Sequence, residues 1–273
     1  MLTIGCARPL PSEPQHLRRT DMRKLFITIL LCFVSSQAWA FPPGFIAGVT
    51  ASAPVGGSPV YTDCSNIGTA SFMWTGEHTT GNSIGCKISG TVTPSVTGVT
   101  FVDSASDPAA SFGGSGGIVA KGTANSQQVL WSGSASELIN GSEGEIVVTV
   151  YFGAISGGNS IVRTIATNDE ITLAANSTGK ITFLHIGGNG TQIVNMASTA
   201  SVSAATPTVI RARWSVANNQ IAVKVGDNAW QVDEDTTPVT AFTVNPTYVR
   251  ALSPTITNPA YLNDIYVYPV SGL

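Results

Sequence analysis

Charged side chains are scarce in this sequence: Asp, Glu, Lys and Arg make up 11% of its 273 residues. Cysteine is scarcer still, at four, and no long stretch carries the 3.6-residue apolar period of an amphipathic helix. These absences exclude a helical bundle and an alternating α/β chain, both of which need that period. Leu25 to Val34 is apolar, but it is about half of the roughly 20 residues needed to span a bilayer. No other run is long and apolar enough to span one.

The chain has Gly, Ser, Thr, Val and Ile in short segments separated by Gly/Asn turns, which reads as all-β. Its first forty residues stand apart. Arg23 and Lys24, the apolar run Leu25 to Val34, and Ala38-Trp39-Ala40 form the three parts of a secretory signal. Residues 22–40 are thus expected to be a signal peptide cleaved before Phe41, and residues 1–21 an upstream extension. Both Met1 and Met22 are available as starts. The chain is accordingly expected to be secreted, periplasmic or at the cell surface. Five of the 13 basic groups and two of the 16 acidic ones fall in this leader, leaving 8 against 14 and a net charge of −6. Such a surface offers no electrostatic footprint for nucleic acid or anionic lipid. Cys6 and Cys32 also lie in the leader, so Cys64 and Cys86 remain as the pair to bridge in an oxidising compartment.

Residues 41–60, rich in Pro and Gly and without alternation, read as a linker or surface strap. Residues 61–273 are long enough for one sizeable core. The longest alternating segment is Glu145 to Phe152, with Ile146, Val148, Val150 and Phe152 on one face and Val147, Thr149 and Tyr151 on the other. Further strands are expected over Ser160 to Ala166, Ile171 to Ala174, Lys180 to Ile186 and Thr191 to Met196, with turns at Asn168-Asp169-Glu170, Asn176 to Gly179 and Gly187 to Gly190. Pro207 to Val216 sets Ile210, Ala212 and Trp214 inward and Arg211 and Arg213 outward, and Gln220 to Val225 follows a turn at Asn218-Asn219. The final strand, Tyr261 to Tyr268, carries Ile265 and Val267 on one face and Tyr266 and Tyr268 on the other. A terminal segment this apolar is expected to close a sheet, and Phe72 and Trp74 of the first strand are its natural partners.

The order of these elements carries a resemblance: Glu143-Gly144-Glu145, the strand to Trp214, Ile221 to Asp227 with Trp230, and the closing Leu262-Asn263-Asp264-Ile265-Tyr266-Val267-Tyr268. It resembles the laminin G-like jelly rolls of the concanavalin A-like lectin/glucanase superfamily, over most of residues 61–273. The resemblance implies a two-sheet antiparallel jelly-roll sandwich with first and last strands side by side. It also implies a structural calcium between those strands, held by Glu77, Asn263 and Asp264, with Asn263 standing where the family has an acidic residue.

That superfamily includes binding modules, hydrolases and lyases, so residues must choose among them. The E-x-D-x-x-E run of its retaining glycosidases is absent. Glu143 and Glu145, at a strand entrance beside Gly144, read as ordinary solvated carboxylates. Tyr151, Arg163, His185, Arg211 and Arg213 offer the side-chain types of a glycan site, or of a lyase acting on a uronate polymer if their strands line one sheet. The Q-I-H strand motif of such lyases is missing, however, and His185 alternates with Ile181 and Phe183 like a core residue. Asn140, Asn176 and Asn189 each open a glycosylation sequon that is equally a turn-forming sequence. The leading expectation is an exported, non-catalytic jelly roll that binds a polysaccharide or cell-surface glycan, with a polysaccharide lyase or a structural or adhesive surface protein as the alternatives.

Overall fold

The computed structural model describes residues 64, 67–75, 85–87, 90–103, 118–122, 127–134, 137–155, 158–233, 237–252 and 260–270, and gives the backbone alone at 75, 102, 103 and 118–122. The expected signal, extension and strap over residues 1–60 lie outside this set, as do Glu77 and the Gly/Ser stretch from Ser111 to Gly117. Among the described residues no helix is long and apolar enough to cross a membrane.

The described chain is a succession of strands: β1 (Phe72–Thr75), β2 (Gly85–Lys87), β3 (Gly90–Val92), β4 (Ser95–Thr97), β5 (Thr100–Asp103), β6 (Ile118–Gly122), β7 (Gln128–Ser132), β8 (Glu143–Phe152) and β9 (Asn159–Ala166). The second half adds β10 (Asp169–Ala175), β11 (Lys180–Gly187), β12 (Gln192–Ser201), β13 (Thr208–Ser215), β14 (Gln220–Val225), β15 (Gln231–Val232), β16 (Tyr248–Ala251) and β17 (Ala260–Tyr268). They form two antiparallel sheets. The larger, of ten strands, runs β15-β14-β13-β8-β17-β1-β2-β3, with β6 also on β17 and β5 on β6. The smaller, of seven, runs β12-β11-β10-β9-β16-β7-β4. This is the all-β chain expected from the patterning and the two-sheet antiparallel jelly-roll sandwich implied by the resemblance.

β17 lies between β8 on one side and β1 and β6 on the other. Phe72 is opposite Val267 and Trp74 opposite Ile265, so the two distant ends of the domain pair as their patterning requires. The pairing with β8 shifts between Leu262 and Asp264, which makes Asn263 the extra residue of a bulge. Upstream of it β17 pairs with β6, and downstream with β1.

The core fills from both inner faces. Ile146, Val148, Ile210, Ala212, Trp214, Ile265 and Val267 of the larger sheet are fully or almost fully buried, as are Val129, Trp131, Ile171, Leu173, Ile181 and Phe183 of the smaller. Aromatic rings span the gap: Trp131 of β7 meets Phe72 at 5.4 Å and Trp74 at 5.6 Å, and Phe183 of β11 meets Trp214 of β13 at 6.3 Å. Trp214 donates its indole N–H to the carbonyl of Asn140 (2.8 Å), which satisfies its one polar atom. Gly144 makes room for it, since a Cβ there would lie 2.4 Å from the indole.

Several local expectations change. The β9–β10 turn is Thr167-Asn168, and Asp169 and Glu170 already belong to β10. Asp169 is nearly buried because its carboxylate gathers four backbone N–H groups: Asn189 (2.7 Å) and Gly190 (3.3 Å) on one oxygen, Thr243 (2.6 Å) and Val244 (3.4 Å) on the other. It pins the segment before β16 to the β11–β12 turn. The end of the expected loop Gly81 to Cys86 is strand β2, and Cys86 is bonded to Cys64 with their Cα atoms 5.3 Å apart. At the sandwich rim, Gln231 of β15 accepts from the Thr199 N–H and donates to the Ala197 carbonyl (3.1 Å) of β12. One side-chain amide thus occupies part of the exposed edge of the smaller sheet.

Breaking the closure should be measurable. Trp74→Ala is expected to lower the unfolding free energy by about 3–5 kcal/mol through the cavity it leaves. Reducing the Cys64–Cys86 bridge, which spans 22 residues of sequence, is expected to lower it by about 3 kcal/mol. Urea denaturation midpoints of the variant and of the reduced protein provide the check.

Candidate functional site

Cross-strand register sets the outer face of the ten-stranded sheet. Core residues occupy alternate positions of β8, β13 and β17, so the positions between them point away from the core. One row across the strands reads Ala222, Arg213, Glu145, Tyr268 and the next reads Lys224, Arg211, Val147, Tyr266. A third reads Val209, Thr149, Asp264, and a fourth sets Tyr151 opposite Tyr261. Arg211, Arg213 and Tyr151 therefore share a sheet face, as expected from the sequence.

Glu145 is the surprise on this face. In place of a solvated carboxylate at a strand entrance, it is 5% exposed, because Arg213 and Arg211 of β13 and Tyr268 of β17 lie over it. Its Oε2 is 3.1 Å from Arg213 Nε and its Oε1 is 3.7 Å from Arg211 Nη1. Burial pushes the Glu145 carboxyl up from its ordinary value, and the two guanidinium groups only partly offset this. The Tyr268 hydroxyl is pushed up by burial and by the Glu145 charge beside it. Arg213 lies over the Trp230 ring, its Cζ 4.1 Å from the centroid, a cation–π contact that fixes the guanidinium in place. Tyr266 and Tyr268, two apart on one strand, stack with centroids 6.3 Å apart and planes 12° from parallel. The patch brings together three cations, the buried Glu145 carboxylate and three half-buried aromatic rings, with Glu143 and Asp264 at the neighbouring outward positions of β8 and β17. Tyr151 sits at the far end of the face, 6% exposed and edge-on to Tyr261 at 5.4 Å, so its ring is packed and not presented.

Arg163 and His185 belong to the other sheet. Arg163 is on the outer face of β9 and donates from Nε and Nη2 to the two oxygens of Glu170 (2.9 and 3.0 Å), which pushes its guanidinium pKa up. A separate open depression of about 530 Å³ lies beside Glu170, lined by Ile165, Thr167, Asn168, Ile186, Asn189 and Gly190 and by no aromatic ring. His185 points into the core, fully buried, with Nε2 donating to the Gly141 carbonyl (3.1 Å) and its ring 5.2 Å from Phe242. That hydrogen bond places its proton on Nε2 and leaves Nδ1 a buried lone pair without a partner. Burial lowers its pKa to about 4, against smaller opposing contributions from Gly141 and Asp169. The five expected glycan residues therefore divide between two sheets, and three of them share a face.

Of the expected calcium ligands the structure describes Asn263 and Asp264. Asn263 is the bulge residue, and its amide donates to Asp264 Oδ2 (2.7 Å), occupying one oxygen a cation would use. Among the described residues no three His, Cys, Asp or Glu side chains gather as a metal site. The sequon asparagines act as turn residues: Asn140 Oδ1 accepts from the Ser142 N–H, Asn176 Oδ1 from Thr178 and Lys180, and Asn189 Oδ1 from Asn168.

Sequence reasoning missed Glu145, Lys224, Trp230, Tyr266 and Tyr268 as members of one patch. The alternation of β17 already put both tyrosines on the outer face. What was needed was the β14-β13-β8-β17 order, which one-dimensional patterning does not contain.

No protein-family model and no curated protein matches the sequence. The fold does match solved structures. The binding domain of botulinum neurotoxin serotype G aligns with a TM-score of 0.53 at 11% identity, over 74% of this chain and 48% of that one. A structure of botulinum neurotoxin type C, whose cell entry depends on interaction with two ganglioside molecules, aligns at 0.53 and 9% identity, over 73% of this chain and 47% of that one. A Trypanosoma rangeli sialidase mutant with trans-sialidase activity aligns at 0.53 and 12% identity, over 78% and 32%. This chain spans about half the length of the toxin chains or less, and the likeness is one of fold.

The buried imidazole predicts a pH response. With a folded pKa of about 4 against an ordinary value of 6.5, His185 stays neutral in the fold while the unfolded chain takes up a proton. Stability is then full above pH 6.5, falls by about 1.4 kcal/mol per unit as pH drops toward 4, and levels off below. His185→Gln, which keeps a donor for Gly141, is expected to remove this part of the slope in denaturation curves collected from pH 7 to 4.

Proposed function

We propose that this chain is an exported, non-catalytic, carbohydrate-binding β-sandwich whose ligand face is the outer face of the ten-stranded sheet. The observation that carries the reading is the stacked pair Tyr266 and Tyr268 next to Arg211, Arg213 and Glu145, with Trp230 beneath Arg213. Flat aromatic faces accept the C–H side of a sugar ring, and adjacent fixed donors and acceptors take its hydroxyl groups. The tyrosines, the arginines and Glu145 sit on strands, whose hydrogen-bonded register holds them in place without ligand, and Trp230 directly precedes β15.

Two matched folds support the direction: the type C neurotoxin is described with gangliosides, which are sugar-bearing lipids, and the other is a sialidase. Binding is favoured over a lyase by where the candidate base stands. His185 faces the core of the smaller sheet, and Arg163 is committed to Glu170 on that sheet's outer side. A polymer lying on the tyrosines meets neither. Export rests on the signal-like residues 22–40.

Affinity electrophoresis against a panel of immobilised polysaccharides tests this reading. The chain is expected to be retarded by at least one, and Tyr266→Ala with Tyr268→Ala to lose most of that retardation while keeping the parent's thermal midpoint within a few degrees. Migration indifferent to every polymer, or a double variant that binds like the parent, would sink the assignment.

A further inference from the structure

The charge arrangement on this face goes one step beyond sugar binding, and the step rests on that reading. Lys224 of β14 is directly opposite Arg211 of β13. Cross-strand partners on one face have Cβ atoms roughly 5 Å apart, and like charges so placed repel. Glu145, the carboxylate nearest the pair, is closer to Arg213 (3.1 Å) than to Arg211 (3.7 Å). Arg213 is further held by Trp230, so Glu145 is shared unequally between the two arginines, with Arg213 the nearer partner. Among the described residues Lys224 has no ion pair; of the other acidic residues at outward positions of this face, Glu143 is opposite Ser215, beyond Arg213 from Arg211, and Asp264 is two strands away from Arg211 with one oxygen on Asn263. Two cations thus stand side by side, without a full counter-charge, in a chain that beyond its leader has 8 basic groups against 14 acidic ones.

We propose that the ligand is an acidic glycan whose carboxylate or sulfate sits between Arg211 and Lys224 while its sugar rings lie along Tyr266 and Tyr268. Arg211 is across Val147 from Tyr266 in the same row, so an anionic substituent on a ring seated at Tyr266 points toward Arg211. Glu145 is nearer to Arg213, and its 3.7 Å ion pair with Arg211 is longer than a hydrogen bond, so Arg211 can turn its donors to the ligand. An anion between the two cations removes their repulsion, so they contribute to affinity only when the bound sugar is charged.

The test compares polygalacturonate, dextran sulfate and neutral dextran by titration calorimetry with the full chain, at low salt and at about 0.5 M salt, where surface charge is screened. Acidic polymers are expected to bind and neutral dextran not to, with affinity falling several-fold at high salt. Arg211→Gln with Lys224→Gln is expected to weaken acidic-polymer binding about tenfold or more, and Lys224→Arg to retain it. Near-ultraviolet circular dichroism confirms that each variant is folded. Neutral and acidic polymers bound alike would overturn the acidic-glycan assignment and leave sugar binding standing. No polymer bound would overturn both. Retention of a single-stranded polynucleotide in place of acidic polysaccharide would overturn it in favour of a phosphate-backbone partner.

Discussion

The fold depends on the seating of its last strand between distant parts of the chain. β17 takes hydrogen bonds from β8 along one side and divides the other between β6 and β1, so three segments far apart in sequence are joined through nine residues. The split is possible because Asn263 is an extra residue that bends the strand where one neighbour ends and the next begins. The same strand sends Ile265 and Val267 into the core and Tyr266 and Tyr268 outward. Closure of the sandwich and assembly of the outer patch are therefore one event, and both tyrosines take their positions from the burial of the residues beside them.

The two sheets are held together by rings and the loops by polar pins. Trp131 against Phe72 and Trp74, and Phe183 against Trp214, join the two inner faces across the core. At the end near the β11–β12 turn, Asp169 draws four amide groups from two segments onto one carboxylate, and His185 gives its single proton to Gly141 beneath Phe242. These polar groups serve packing. Their chemistry looks catalytic in a list of residue types, yet their partners are backbone atoms of the protein's own loops.

Much of this was readable in one dimension. Ile146, Val148, Val150 and Phe152 announce a buried face by their period, and Phe72 with Trp74 needed a partner as apolar as β17. Short strands escaped because their signal is weak: Tyr248–Ala251 alternates over only four residues, and Ser95–Thr97 is exposed throughout. The placement of Asp169 in a turn failed because Asp is a common turn residue, whereas here its side chain satisfies backbone donors that come from distant segments. Glu145 read as solvated for a similar reason, since its burial is supplied by β13 and β17 and not by its own neighbours. Strand faces followed from period alone. The composition of a patch shared by several strands required their lateral order.

Gln231 carries a different consequence. Its amide meets the Thr199 N–H and the Ala197 carbonyl as a peptide unit of an adjoining strand would, although it projects from the edge of the opposite sheet. The amide proton of Thr199, on an outermost strand that would otherwise surrender it readily to solvent deuterium, is shielded by the facing layer. Its exchange rate is accordingly a gauge of how firmly the two layers stay shut at that rim, and says little about pairing within its own sheet.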